Sequence, residues 1–181
     1  MTGEIYMIRI AISGKSGCGN TTVSTALAKK LGVNLINFTF RQLAAEKGMT
    51  LAEVLEAAKT DDSYDKAVDT RQVELALQSS CVLGSRLAIW MLKEADLKVY
   101  LLASDEVRAK RILEREGGDL AEIAAFTAAR DKNDSNRYRE LYGIDNTDYS
   151  FADLVIDTAK YNPDQIVELI MAEVEKRGLK A

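Results

Sequence analysis

A chain of 181 residues, 47% hydrophobic and 29% charged, is long enough for one domain around a real core and short for two. Its net charge of −4, from 24 Lys and Arg against 28 Asp and Glu, offers no basic footprint for a nucleic acid polymer or an anionic membrane. The chain has no histidine, which excludes a Ser-His-Asp triad, a His-ligated zinc and an imidazole proton shuttle.

The stretch MTGEIYMIRIAISG has no basic segment followed by a long apolar one. No apolar run approaches the roughly 20 residues that span a bilayer. A cytoplasmic protein is expected. Ile8–Ser13 is an apolar run expected as a buried strand. Val23, Ala26, Leu27 and Leu31 then recur at helical spacing, predicting a helix over Thr22–Leu31. A second strand is expected at Asn34–Phe38. Arg41–Lys59 carries two helical segments broken at Lys47-Gly48-Met49-Thr50, with Thr50 and Glu53 as a capping box for the second. A helix over Tyr64–Gln78 and a strand at Cys81–Gly84 follow. The apolar turn Ile89-Trp90-Met91-Leu92 is expected to face the core. Leu97–Ala103 reads as a strand, and Asp105–Glu116 and Asp119–Tyr142 as long charged helices. Leu154–Asp157 is the last strand, and Asn162-Pro163 supplies the cap and first residue of the last helix. Pro163 is the only proline and no repeat is visible, so residues 1–181 read as one domain. Cys18 and Cys81 are too few for a disulfide framework, and their settings argue against a mutual bridge. Strands alternating with helices imply an α/β fold with a doubly wound parallel sheet, whose ligands bind beyond the carboxyl ends of the strands.

Between the first strand and its helix lies Gly14-Lys15-Ser16-Gly17-Cys18-Gly19-Asn20-Thr21-Thr22. Three glycines allow a sharp turn that points several N–H groups into one concavity, and the helix dipole adds to it. That is a site for a polyphosphate. It matches the G-x-x-x-x-G-K-[ST] pattern except that Asn20 stands at the lysine position; Thr21 is the expected Mg²⁺ ligand. Lys15 is a candidate replacement cation, or an ordinary exposed loop lysine. Motifs of switch GTPases, and the acidic strand end of motor ATPases, are missing. Arginines are instead abundant: Arg41, Arg71, Arg86, Arg108, Arg111, Arg115, Arg130, Arg137 and Arg139. Any one of them alone is an ordinary surface arginine. Together, on one side of such a sheet, they suit a phosphate clamp, because phosphoryl transfer needs positioning and charge neutralisation above all.

Several segments together resemble the cytidylate kinases, in particular the short type of archaea and some bacteria. They are RIAISGKSGCGNTT, FRQLAAEKGMTLAEV, VDTRQVELA, VLGSRLAIW, LKVYLLASDEVRAKRI, ADLVIDT and RDKNDSNR, the last fitting R-D-x-x-D-x-x-R. The resemblance implies a P-loop three-layer sandwich with a five-stranded parallel sheet. It also implies monophosphate-binding helices over about 39–78 and a lid over about 111–142. It implies ATP as co-substrate, Mg²⁺, and CMP or dCMP as acceptor, in a monomer or homodimer whose partners are small nucleotides. Carried over, Gly14 to Thr22 (with Ser16, Gly17, Cys18, Gly19 and Asn20 between) hold the donor phosphates. Arg41, Arg71, Arg86, Arg130, Asp134 and Arg137 hold the acceptor. Lys15, Arg111, Arg130 and Arg137 are the catalytic candidates, with Arg115 as a possible companion of Arg111 over the transferred group. The chain departs from the family at Asn20, at Asn37-Phe38 where a Gly-Asp pair is common, and at Gly84 where an acidic residue is usual. Those departures keep two alternatives open: a kinase for another small acceptor, and a nucleotide-binding regulator that has lost phosphotransfer.

Overall fold

The computed structural model describes residues 6–180; the first five residues of the N-terminal stretch and Ala181 lie outside the described residues. Five strands form one sheet in the order β2-β3-β1-β4-β5, and every pairing is parallel. They are β1 (Arg9–Gly14), β2 (Asn34–Ile36), β3 (Cys81–Gly84), β4 (Leu97–Leu102) and β5 (Leu154–Asp157). The helices are α1 (Asn20–Leu31), α2 (Phe40–Lys47), α3 (Leu51–Ala57), α4 (Ser63–Ala76), α5 (Ala88–Met91), α6 (Asp105–Glu116), α7 (Leu120–Tyr142) and α8 (Pro163–Lys176).

The period-2 alternation of β1 divides the core between the two faces. Ile8, Ile10 and Ile12 pack with Leu27 of α1 and Ile166 and Ile170 of α8. Ala11 turns the other way, to Leu83, Ala76 of α4 and Ile89 of α5. Helices therefore cover both faces, which is why the central strands carry apolar residues on both. Ile89 and Leu92 are fully buried, as expected of their turn, and Trp90 meets Tyr100 edge-on at 6.1 Å. A smaller third cluster joins Phe38, Leu43, Val54 and Val68, so α2, α3 and α4 have a packing centre of their own.

Local signals act where the sequence places them. Thr50 and Glu53 cap α3 reciprocally, and Asn162 caps α8 with Pro163 as its first residue. Gly48 takes the left-handed conformation, φ 66°, that ends α2. Cys18 and Cys81 are buried free thiols. The second strand is shorter than expected. It pairs with β3 only over Asn34–Ile36, and Asn37 and Phe38 leave the sheet. Phe38 is drawn into the α2–α4 cluster, a tertiary contact that outweighs strand continuation.

Candidate active site

The chain reverses direction of growth at β1, whose neighbours β3 and β4 come from opposite sides. The carboxyl end of β1 is thus a topological switch point, where open α/β sheets place ligands. A cleft of about 430 Å³ opens there. One wall is the loop Gly14–Gly17 with Gly19–Thr22; another is Asn37–Phe40; the far side is α4, Arg86 and Arg137.

The loop conformation depends on its glycines. Gly17 and Gly19 have φ 83° and 87°, the left-handed region that side chains rarely adopt. A Cβ on Gly17 would also stand 3.0 Å from the Arg108 carbonyl oxygen. Two arginines hold the loop from behind. Arg108 is fully buried; it donates to the Ser16 carbonyl at 3.0 Å, to Asp131 at 2.5 Å and to Asp105 at 2.7 Å. Arg111 donates to the Gly17 carbonyl at 3.2 Å and to the Thr158 hydroxyl and carbonyl at 2.8 and 2.7 Å. In a trans peptide C=O and N–H point in opposite directions. Drawing the Ser16 carbonyl back to Arg108 therefore turns the Gly17 N–H outward. Cys18 is buried beside this frame, and burial pushes its thiol above the usual range, so it is inert packing rather than a nucleophile.

Lys15 lines the cleft and stands 3.8 Å from Asp131. Asn20 does not imitate a lysine. Its amide donates to the Ile12 carbonyl at 2.9 Å, and its oxygen accepts from the Ser24 hydroxyl at 2.8 Å. Gly84 makes this possible: a Cβ there would lie 2.5 Å from Ser24 Oγ and 2.9 Å from Asn20 Oδ1. Thr21 lines the cleft at the second residue of α1. Among the described residues no group of three or more acidic, Cys or His side chains could hold a metal. A single hydroxyl beside a polyphosphate cradle suits Mg²⁺, which keeps most of its waters and binds chiefly through substrate phosphates.

Asp134 sits between two guanidinium groups. Arg86 donates to it at 2.5 Å and Arg137 at 3.4 Å. Arg137 also pairs with Asp65 at 3.0 Å, and its Nε is buried with no partner. Of the sequence candidates, Lys15, Arg86 and Arg137 line the main cleft, and Arg115 reaches its rim. Asp134 and Arg86 line a narrow space that opens beside it. Arg130 lies instead in a groove between α6 and α7, pushed below the ordinary arginine value by burial and by the Arg86 charge. Arg41 is exposed at the second position of α2, next to the lining residues Thr39 and Phe40. Arg71 is elsewhere: Glu46 at 3.3 Å and Glu74 at 3.2 Å hold it on the outer face of α4. Arg111 is bonded to the loop and Thr158, not aimed across the cleft, because those carbonyls satisfy its guanidinium.

Sequence reasoning passed over Asp131, the second residue of R-D-x-x-D-x-x-R, which joins Lys15 and Arg108. It also missed Asp65, Asp69 and Gln72, which line the cleft with Tyr138. A signal existed: positions 65, 69 and 72 fall on one helical face. Burial raises both carboxyls above the ordinary range, and Tyr142 donates to Asp69 at 2.7 Å.

Residues 9–160 match the family model described as the cytidylate kinase-like family. The chain is 48% identical over 177 residues to cytidylate kinase 2 of Borreliella burgdorferi, covering 96% of this chain and 98% of that one. It is 39% identical over 176 residues to cytidylate kinase of Archaeoglobus fulgidus, at the same coverages of 96% and 98%. Among solved structures, shikimate kinase from Bacteroides thetaiotaomicron superposes with a TM-score of 0.65 at 17% identity, over 94% of this chain and 99% of that one, a likeness of fold.

Proposed function

This chain belongs to the cytidylate kinase-like family, and we propose that it transfers the γ-phosphoryl group of ATP to cytidylate, ribo or deoxy, giving ADP and the diphosphate. The observation that carries the reading is one cleft joining a polyphosphate loop to the paired guanidinium groups of Arg86 and Arg137. Donor and acceptor phosphates are both anions, so their approach demands cations between them. Loop N–H groups and the α1 N-terminus take the donor phosphates. Lys15 supplies the charge that Asn20 lacks, held within the cleft by Asp131. Arg86 and Arg137 take the acceptor phosphate, and Arg41 joins them when α2 closes. An acceptor phosphate oxygen then attacks the γ-phosphorus in line, and ADP leaves. No general base is needed, since that oxygen is already ionised. Mg²⁺, held by Thr21 and the donor phosphates, would neutralise the charge that develops between the leaving and transferred groups. Residues about 39–78 act as the monophosphate-binding segment and about 111–142 as the lid, with Arg115 and Arg130 approaching as it closes and water is excluded.

Among the described residues no helix is long and apolar enough to cross a membrane. The reading adds a cytoplasmic location, a monomer or homodimer, and small nucleotides rather than nucleic acid polymers as partners.

The test is ADP release from Mg-ATP, screened against CMP, dCMP, UMP, AMP and GMP. Strong stimulation by CMP or dCMP alone is the expected result. ATP binding with no stimulation by any monophosphate would overturn it. Arg137→Ala is expected to raise the acceptor KM and lower kcat, together by roughly tenfold or more in kcat/KM, as for a lost hydrogen bond to a charged group. An unchanged kcat/KM would remove Arg137 from the acceptor site.

A further inference from the structure

Gln72 is 6% exposed and lines the cleft, yet its Oε1 is buried without a hydrogen-bond partner. Buried polar atoms are nearly always satisfied, so an orphaned acceptor on a side chain that lines a ligand cleft asks for a donor that the bound ligand brings. Its neighbours ask for the same. Asp65, Val68, Asp69 and Gln72 form an i, i+3, i+4, i+7 stripe along the cleft face of α4. Asp65 Oδ1 is engaged by Arg137 and Asp69 Oδ2 by the Tyr142 hydroxyl. Each carboxylate keeps a second oxygen with lone pairs to offer. Val68, between them, is an apolar surface against which a flat ring can lie. The polar side chains of this stripe are two carboxylates and a carboxamide, and the Arg137 beside them is paired with Asp65 and Asp134.

From this geometry we infer that the α4 face of Asp65, Asp69 and Gln72 reads the base of the acceptor and selects a pyrimidine bearing an exocyclic amine over its 4-oxo counterpart. The amine brings two N–H donors to a surface made of acceptors. The Gln72 carboxamide accepts one of them and returns an N–H to the unprotonated ring nitrogen beside it, a matched two-bond contact. A 4-oxo base presents a carbonyl oxygen at the same place. It would set lone pairs against the carboxylates and leave Gln72 Oε1 orphaned, and a site built around hydrogen bonds rejects such a ligand strongly. The inference rests on the monophosphate-kinase reading and names its specificity determinant.

The experiment compares CMP with UMP, which differ at this position and match in size. kcat/KM for each is measured by ADP release in the wild type, Gln72→Met and Asp69→Asn, with the KM for ATP in parallel. Met preserves the bulk of Gln72, and Asn preserves an acceptor for Tyr142, so both variants are suited to fold. The expected result is a CMP-over-UMP preference that falls roughly tenfold in each variant with the KM for ATP unchanged. A fall for both substrates together, with the preference intact, would overturn this inference and leave the kinase reading standing. A wild type that prefers neither CMP nor UMP to the other monophosphates would overturn both.

Discussion

Asn20 stands where a phosphate loop ordinarily has lysine, and the structure explains how the chain accommodates it. The amide ties the start of α1 to the end of β1 through the Ile12 carbonyl, while its oxygen takes the Ser24 hydroxyl. Gly84, the other departure in this region, is the residue whose missing side chain lets Ser24 and Asn20 approach β3. The two departures are one packed unit, and Lys15 is the cation that remains at the loop. Two expectations follow. Asn20→Lys lowers activity, because a lysine gives up the carbonyl contact and meets a space shaped for an amide; a large gain in kcat would contradict this account. Lys15→Met raises the KM for ATP and lowers kcat, by about a hundredfold in kcat/KM for the loss of a charged phosphate contact. Retained ATP kinetics would return Lys15 to the role of an exposed loop cation. Gly84→Ala tests the packing itself: steric conflict with Ser24 should lower Tm by several degrees, seen in thermal unfolding.

At the scale of elements, α4 carries the largest difference between pattern and use. Its outer face holds Arg71 in ion pairs with Glu46 and Glu74, and its inner face supplies Asp65, Asp69 and Gln72 to the cleft. Burial raises Asp69 above its ordinary carboxylate value. A carboxyl raised in the folded state holds its proton more tightly there than in the unfolded chain. Its stabilising contribution is therefore present below the unfolded value near 3.9 and is lost as pH rises through the folded value. Asp69→Asn removes the half-buried charge and keeps an acceptor for Tyr142. It is expected to raise Tm at neutral pH, with an advantage that shrinks as pH falls toward about 4. Thermal unfolding across that range checks the sign; an advantage that grows on acidification would refute it. The same variant is expected to weaken discrimination for CMP, the usual tension between a functional, partly desolvated charge and stability.

At the scale of the whole molecule, Arg108 binds three elements into one frame. From α6 it reaches the loop at Ser16 and α7 at Asp131, with no exposed surface. Removing one partner of a buried ion pair leaves the other charge uncompensated. Arg108→Met is expected to cost about 3 kcal/mol of stability, read as a lower urea midpoint with an unchanged m-value. A midpoint equal to wild type would mean that Lys15 alone satisfies Asp131. Because the same side chain positions Ser16, kcat should fall as well.

The sequence by itself determined the layered fold, the phosphate loop and most helix ends. These rest on short-range physics: apolar periodicity, glycines where φ must be positive, and caps three residues from their partners. It also pointed to Arg86, Asp134 and Arg137, which the fold brings together. Only the tertiary structure decided which arginines face the cleft. Arg71 and Arg111 look no different from Arg86 in sequence, but Glu46 and Thr158, which hold them away from the cleft, lie 25 and 47 residues away in the chain. The same holds for Asn20 with Gly84, and for the orphaned oxygen of Gln72. Whether a polar group is satisfied depends on neighbours distant in the chain, and only folding assigns those neighbours.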